Sequence, residues 1–281
     1  MDWSGLEHVL STTRLWLVAL ILVIASSLAA FIGVWLRRRR DLGKDDGLIA
    51  EGQEGYIVSA VLGLLALLTG FTFSLAVDRF DARRYLVLEE ANAIGTAYLR
   101  AQILEEPHRT RMSGLLRRYT DNRIALGKAD PSQNAALLAA NDALIVDIWT
   151  ATRASYESIK RYDFSSIYMQ SVNTVIDLDS SRKAARRARV PAEVFAVLIV
   201  YLILSAGGLG FVMVGRRGQR AAAFLVMLFI LSLLLIIDID RPRLGGIVED
   251  QAPMERLQAS FATWTPEAFD RWSTGPDAPP P

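Results

Sequence analysis

Four stretches of this chain run almost without charge, and they decide more about its fold than anything else in it. Leu15 to Leu36, Tyr56 to Val77 and Ala221 to Ile237 carry no charged residue, and Val190 to Gly215 carries Glu193 near its start. An apolar run of about 18 or more residues reads as a membrane span rather than a core helix. Inside a bilayer, an α-helix satisfies the backbone within a single segment. Trp16 and Trp35 stand nineteen residues apart on the first run. That is about 28 Å of helix, close to the hydrocarbon thickness of about 30 Å, with an indole at each interface. The leading segment MDWSGLEHVLSTTR sets Asp2 and Glu7 against Arg14, and the run ends in RRRR. It therefore lacks the positive start of a secretion signal and is expected to act as an anchor.

The second run does not stop where its charges begin. Through LTGFTFSLAVDRFDARRYLVLEEANAIGTAYLRAQIL there is no proline and no turn cluster. Ala66, Gly70, Phe73, Val77, Phe80, Arg84, Val87, Ala91, Ile94, Tyr98 and Ala101 keep steps of four and three, with Arg84 the one polar member. A period of about 3.5 carried across the interface predicts one rod with one packed face, ending near Pro107. From Tyr56 to Leu104 it would span about 73 Å. A polar stripe of Asp78, Glu89, Asn92, Thr96 and Arg100 lies opposite. Ala66, Gly70 and Ser74 form a small-residue row at steps of four, suited to close helix packing.

Further helical patterns follow, one starting at Pro107 and the next at Asp130 and Pro131 as N-cap and N1. A last one, from about Ile167 through SRKAARRAR, is expected to run on into the third span despite Pro191. After Gly245 and Gly246 comes a short amphipathic piece around Met254, Leu257 and Phe261, then a disordered GPDAPPP tail. The expected fold is all-α and polytopic, with four transmembrane helices in two hairpins and a helical domain between spans two and three. Residues 1–77 and 190–238 carry the hairpins, 78–189 the membrane-attached helical domain, and 239–281 the C-terminal segment.

Arg37, Arg38, Arg39, Arg40, Lys44, Arg216, Arg217 and Arg220 crowd the two short loops. By the positive-inside rule, this places the loops in the cytoplasm and the helical domain outside it, in the plasma membrane. Arg182, Lys183, Arg186, Arg187 and Arg189 argue the opposite orientation. Basic blocks beside spans meet lipid headgroups, so the partners expected are membrane lipids and not nucleic acid.

Chemistry is sparse. The chain has no cysteine, and its two histidines, His8 and His108, lie outside any ligand spacing. No phosphate loop or nucleophile elbow is present, so no enzyme activity, metal or cofactor is expected. Two polar clusters remain at the ends of spans two and four. VDRFDARR holds Asp78, Arg79, Asp81, Arg83 and Arg84, and IIDIDRPR holds Asp238, Asp240, Arg241 and Arg243. Parity puts both at one membrane face. They read either as an ion-pair ring fastening the bundle or as an ion vestibule around Asp78, Arg79, Arg83, Asp238, Asp240 and Arg241.

At these residues the sequence resembles bestrophins, and most of all the bacterial bestrophin-like membrane proteins. The resemblance rests on Gly70, Phe71, Asp78, Arg79, Phe80, Ala82 and Arg83, with EEANAIGTAYLRA and DIDRPR adding to it. It implies a homo-oligomeric anion channel lined by the second span, with a neck near Gly70, at Phe71 or Phe73. It also implies the helical domain in the cytosol, against the count of short-loop charges. Asp81 stands where bestrophins have a second aromatic, and their acidic calcium clasp is reduced to Asp238 and Asp240. A second functional expectation is a non-conducting, membrane-anchored helical scaffold or sensor that binds a partner.

Overall fold

A computed structural model describes residues 4–41, 48–130, 132–242, 245–265 and 268–270. Lys44, the Pro131 helix start, Arg243 and the GPDAPPP tail lie outside the described residues. Among the described residues there are nine helices and no strand. They are α1 Ser4–Thr12, α2 Leu15–Asp41, α3 Leu48–Ala101, α4 His108–Lys128, α5 Asn134–Ile159, α6 Phe164–Arg187, α7 Ala192–Val212, α8 Gly215–Asp240 and α9 Ala252–Ser260. The chain divides into two compact units. One comprises Met1–Phe80 with Ala188–Val248, the other Asp81–Arg187 with Glu249–Pro281.

The rod is α3, helical without interruption over 54 residues, or about 81 Å. Its covered face differs from the one expected, however. Val87, Ala91, Ile94, Tyr98 and Ala101 are buried as the apolar seam requires, but Ala66, Gly70 and Phe73 are exposed and Leu65, Thr72 and Ala76 are buried instead. The cause is the helical period. A strict 3.5-residue repeat drifts by about 20° per heptad on a straight helix, so five heptads from Ala101 to Ala66 displace the seam by about 100°. The face that is covered follows 3.6.

In the first unit α2 lies against α7 at very short range. A Cβ on Gly33 would come 2.1 Å from the Gly207 carbonyl oxygen, and one on Gly210 would come 2.2 Å from that of Ala30. Such contact between backbones suits helices in lipid, where association relies on van der Waals packing. Val18, Leu22, Leu65, Ala76, Phe195, Leu198, Leu202, Leu233 and Ile236 fill the interior. Outward, Trp16, Ile24, Phe31, Phe71, Leu204 and Phe224 are all more than half exposed. Water would not tolerate so large an apolar surface on a monomer; lipid does.

By length and apolarity, five helical segments among the described residues could cross a membrane, one more than the charge-free runs predict. The additional one is α5, whose mean hydropathy of 1.3 compares with 2.2 to 2.9 for the others. Its buried positions include Asn141, Thr152 and Ser155.

In the second unit α4, α5, α6 and α9 pack against one face of the last third of α3. Ile94, Tyr98, Met112, Leu116, Tyr119, Ile148, Tyr168, Val172, Met254 and Phe261 form one core. The amphipathic piece around Met254 and Leu257 is α9, which buries both. Arg117 of α4 donates to the Tyr98 hydroxyl at 2.7 Å and to the carbonyls of Phe261 and Trp264 at 3.0 and 3.2 Å. The segment after α9 is thereby tied to the end of α3.

The last helix does not enter the third span. α6 ends at Arg187 and α7 starts at Ala192, because Pro191 has no N–H to donate and forces Val190 away from helical geometry. Within the N-terminal tail α1 forms, and Leu10 is buried against the membrane-unit core.

Candidate functional site

The candidate site is the face of α3 that its own chain leaves uncovered. Phe71, Asp78, Tyr85, Asn92 and Leu99 recur every seven residues, with Leu67, Ser74, Asp81 and Leu88 beside them, and all nine are exposed. Opposite them run Leu65, Thr72, Ala76, Arg83, Val87, Glu90 and Ile94, all buried. Phe71 stands near the N-terminal end of the open face at 66% exposure, whereas Phe73 is 40% exposed and lies about 200° around the helix from it. One helix cannot present both rings to a single constriction. Among the described residues nothing lies within 4 Å of where a Gly70 Cβ would stand, so the Ala66, Gly70 and Ser74 row meets no other described helix at that point. Of the polar stripe, Asp78, Asn92 and Thr96 are exposed, and Arg100 donates to the Ile167 carbonyl at 3.0 Å.

The charged residues at the helix ends hold backbone and each other. Asp238 accepts from the amides of Gly246, at 2.8 Å, and Ile247, at 3.1 Å. A Cβ on Gly245 would fall 2.6 Å from the Asp238 carbonyl oxygen, so this turn needs glycine. Asp240 accepts from the Val190 amide at 2.9 Å, and Arg241 donates from Nε to the Leu10 carbonyl at 2.7 Å. Arg79 is half-buried and Asp78 exposed. Arg83, 2% exposed, pairs with Glu249 at 2.9 Å, and Arg186 approaches the same carboxylate at 3.7 Å. Asp238→Ala is expected to loosen residues 245–248, since each hydrogen bond to a charged group contributes about 1.5–3 kcal/mol. Limited proteolysis checks this: cleavage after Asp238 should speed up in Asp238→Ala and stay slow in Asp238→Glu if the longer side chain still reaches the amides.

The model of the bestrophin-like domain matches residues 24–251. The chain belongs to the bestrophin-like family. Its fold is similar to crystal structures of a bacterial bestrophin homolog from Klebsiella pneumoniae. A single-residue variant of that protein superposes with a TM-score of 0.64 at 17% identity, covering 85% of this chain and 96% of that one. The structure solved by zinc phasing gives 0.60 at 18% identity, covering 87% and 94%. At such identities the likeness speaks for the fold. No curated protein matches the chain.

This bestrophin-like chain also holds a buried ionic centre that its sequence did not reveal. Glu90, fully buried, accepts from the Tyr119 hydroxyl at 2.6 Å, from Arg123 at 3.1 Å and from Arg182. Asp179 accepts from Asn141 at 2.9 Å, Lys183 at 2.7 Å and Arg123 at 3.2 Å. Burial, and then the Glu90 carboxylate, push the Tyr119 hydroxyl well above the ordinary tyrosine range, so it remains a donor. Burial opposes the Arg123 charge, but Glu90, Tyr119 and Asp179 outweigh it and hold the guanidinium pKa up. Arg182, Lys183 and Arg186 of the basic block before the third span thus have acidic partners within the fold. The available signal was Glu90 itself, a charge between Val87 and Ile94 on the covered face of α3, which holds Arg83 as well.

Proposed function

We propose that this bestrophin-like chain assembles as a homo-oligomeric channel for small ions, lined by the open face of α3. The arrangement has four spans, α2, the apolar half of α3, α7 and α8, with α5 belonging to the helical domain. The observation that carries the reading is the face from Leu67 to Leu99, which offers Phe71, then Ser74, Asp78 and Asp81, then Tyr85, Leu88, Asn92 and Leu99 to something outside the protomer. Phe71 is the neck residue of this proposal, and Phe73 packs at the side, between copies or in lipid. Ala66, Gly70 and Ser74 allow neighbouring copies to approach closely.

Bestrophin character favours anions. A second reading, cations, is favoured by the charge on the open face itself. Asp78 and Asp81 are exposed there, next along from Phe71, while Arg83 is turned away and buried. Rings of carboxylates select cations in channels. Reversal potentials of purified protein in planar bilayers under a potassium chloride gradient separate the two. A potential near the chloride equilibrium value supports anions. One near the potassium value, moved toward zero by Asp78→Asn with Asp81→Asn, supports cations. Bilayers that stay silent with intact oligomers inserted in both directions would leave the non-conducting scaffold as the surviving account.

A further inference from the structure

The membrane unit holds a cavity in which α3 takes no part. It measures about 440 Å³ and lies between α2, α7 and α8, with Val23, Ala30, Val34, Leu209, Val226 and Ile230 among its walls. Apart from Ser26 and Ser27 the lining is apolar until one end, where Arg38 of α2 and Gln219 of α8 stand, both exposed. Those two residues share a level. Arg37 donates to the Phe211 and Val212 carbonyls at 3.0 Å, and a Cβ on Gly218 would lie 3.4 Å from that of Met213. The end of α2, the end of α7 and the start of α8 therefore meet there.

Depth and length decide what fits. Tryptophan marks the membrane interface, and Trp35, with Arg39 lying 3.9 Å over its ring, stands one turn before Arg38. Arg38 is thus at headgroup depth. From Gln219 to Ile230 the cavity follows α8 for about 16 Å. One leaflet of a hydrocarbon core about 30 Å thick measures about 15 Å. The cavity runs from interface to midplane, the reach of one acyl chain.

Charge selects the head. Arg216, Arg217 and Arg220 are exposed in the first two turns of α8, whose N-terminus adds about half a positive charge. The acidic residue of α2 is Asp41, one turn beyond Arg38, and no acid stands between Glu193 and Asp238. Glu54 of α3 lines a different groove, beside Gly33 and Gly207. The mouth keeps a positive balance, and basic sites between spans suit anionic headgroups. A phosphate ion would use the mouth and leave the apolar length empty; a lipid with a negative head uses both.

We propose that the cavity between α2, α7 and α8 binds one acyl chain of an anionic glycerophospholipid, with Arg38 and Gln219 holding its phosphate. The site does not rest on conduction.

The test is native mass spectrometry of the purified full chain in detergent, with phosphatidylglycerol or phosphatidylcholine of identical chains added. Phosphatidylglycerol should bind at least fivefold better, at one lipid per protomer, and raise the thermal midpoint. Arg38→Gln, at an exposed position, should bring the two lipids to equal occupancy. Ala223→Leu, which adds bulk to the cavity wall far from the headgroup, should weaken both lipids alike. Equal binding of the two lipids by the native chain overturns the site and leaves ordinary boundary lipid. So does a preference unchanged in Arg38→Gln. Lipid binding unchanged in Ala223→Leu while the oligomer falls apart also overturns it, and gives the cavity to a second copy of the chain.

Discussion

Glu90→Ala is expected to unfold the helical domain of this protein under conditions where the native chain is stable. Glu90 is buried completely and takes hydrogen bonds from Tyr119, Arg123 and Arg182, which come from α4 and α6. Removing the carboxylate leaves two guanidiniums that are 2% and 3% exposed, and Asp179 alone cannot serve both. Breaking a buried ion pair from one side costs about 3–5 kcal/mol, because the remaining charge keeps its desolvation penalty without its partner. That is a large part of the total stability of a typical domain, about 5–15 kcal/mol. Glu90→Gln should cost less, since the amide oxygen still accepts from Arg123 or Arg182 while its N–H groups face other donors. The measurement is near-ultraviolet circular dichroism during denaturant titration, with Tyr119 and Tyr168 as reporters in the core. Equal loss in Glu90→Ala and Glu90→Gln would mean that charge, and not shape, is what the centre requires, since glutamine keeps the shape and lacks the charge. A triple change of Glu90, Arg123 and Arg182 to apolar residues should recover most of the stability lost in Glu90→Ala, because removing a whole buried charge set is often close to neutral.

The second large effect is expected in the membrane. Gly33→Ala and Gly210→Ala each place a methyl group about 2 Å from a carbonyl oxygen of the facing helix, Gly207 in one case and Ala30 in the other. A backbone cannot swing aside as a flexible side chain can, so α2 and α7 must part along their whole contact. Overpacking of this kind costs typically about 1–3 kcal/mol and occasionally more. Gly63→Ala is the control, since nothing stands within 4 Å of that Cβ. There the substitution should raise helix stability by up to about 1 kcal/mol through backbone entropy alone. Thermal unfolding in detergent should therefore move in opposite directions for Gly33→Ala and Gly63→Ala. The same direction for both would refute the close approach of α2 and α7. Gly70→Ala has no neighbour among the described residues either, so a change confined to oligomer size would point to packing between copies at the Ala66, Gly70 and Ser74 row.

Much of this protein could be read along the chain. Charge-free runs locate helices that lie in lipid, and the absence of any breaker between Gly70 and Ala101 makes α3 one helix. Both are local properties: apolarity decides the solvent of a segment, and hydrogen bonds four residues apart decide its continuity. Pro191 shows the same rule from the other side, ending a helix that the surrounding pattern would have continued.

What surrounds each helix face is another matter. The apolar seam through Ala66 and Phe73 is a genuine pattern, yet the fold covers Leu65, Thr72 and Ala76, because an α-helix turns once in 3.6 residues and a 3.5-residue repeat walks away from any one face. Arg182 reads as part of a basic block flanking a span until it is seen beside Glu90, 92 residues earlier. Glu249 gains meaning as the partner of Arg83, and Gly207 and Gly210 as the floor for α2. In sequence, a buried charge and a solvated one are the same letter. They are told apart by neighbours that tertiary packing brings from distant parts of the chain, and a buried charge persists when its desolvation is offset by those neighbours.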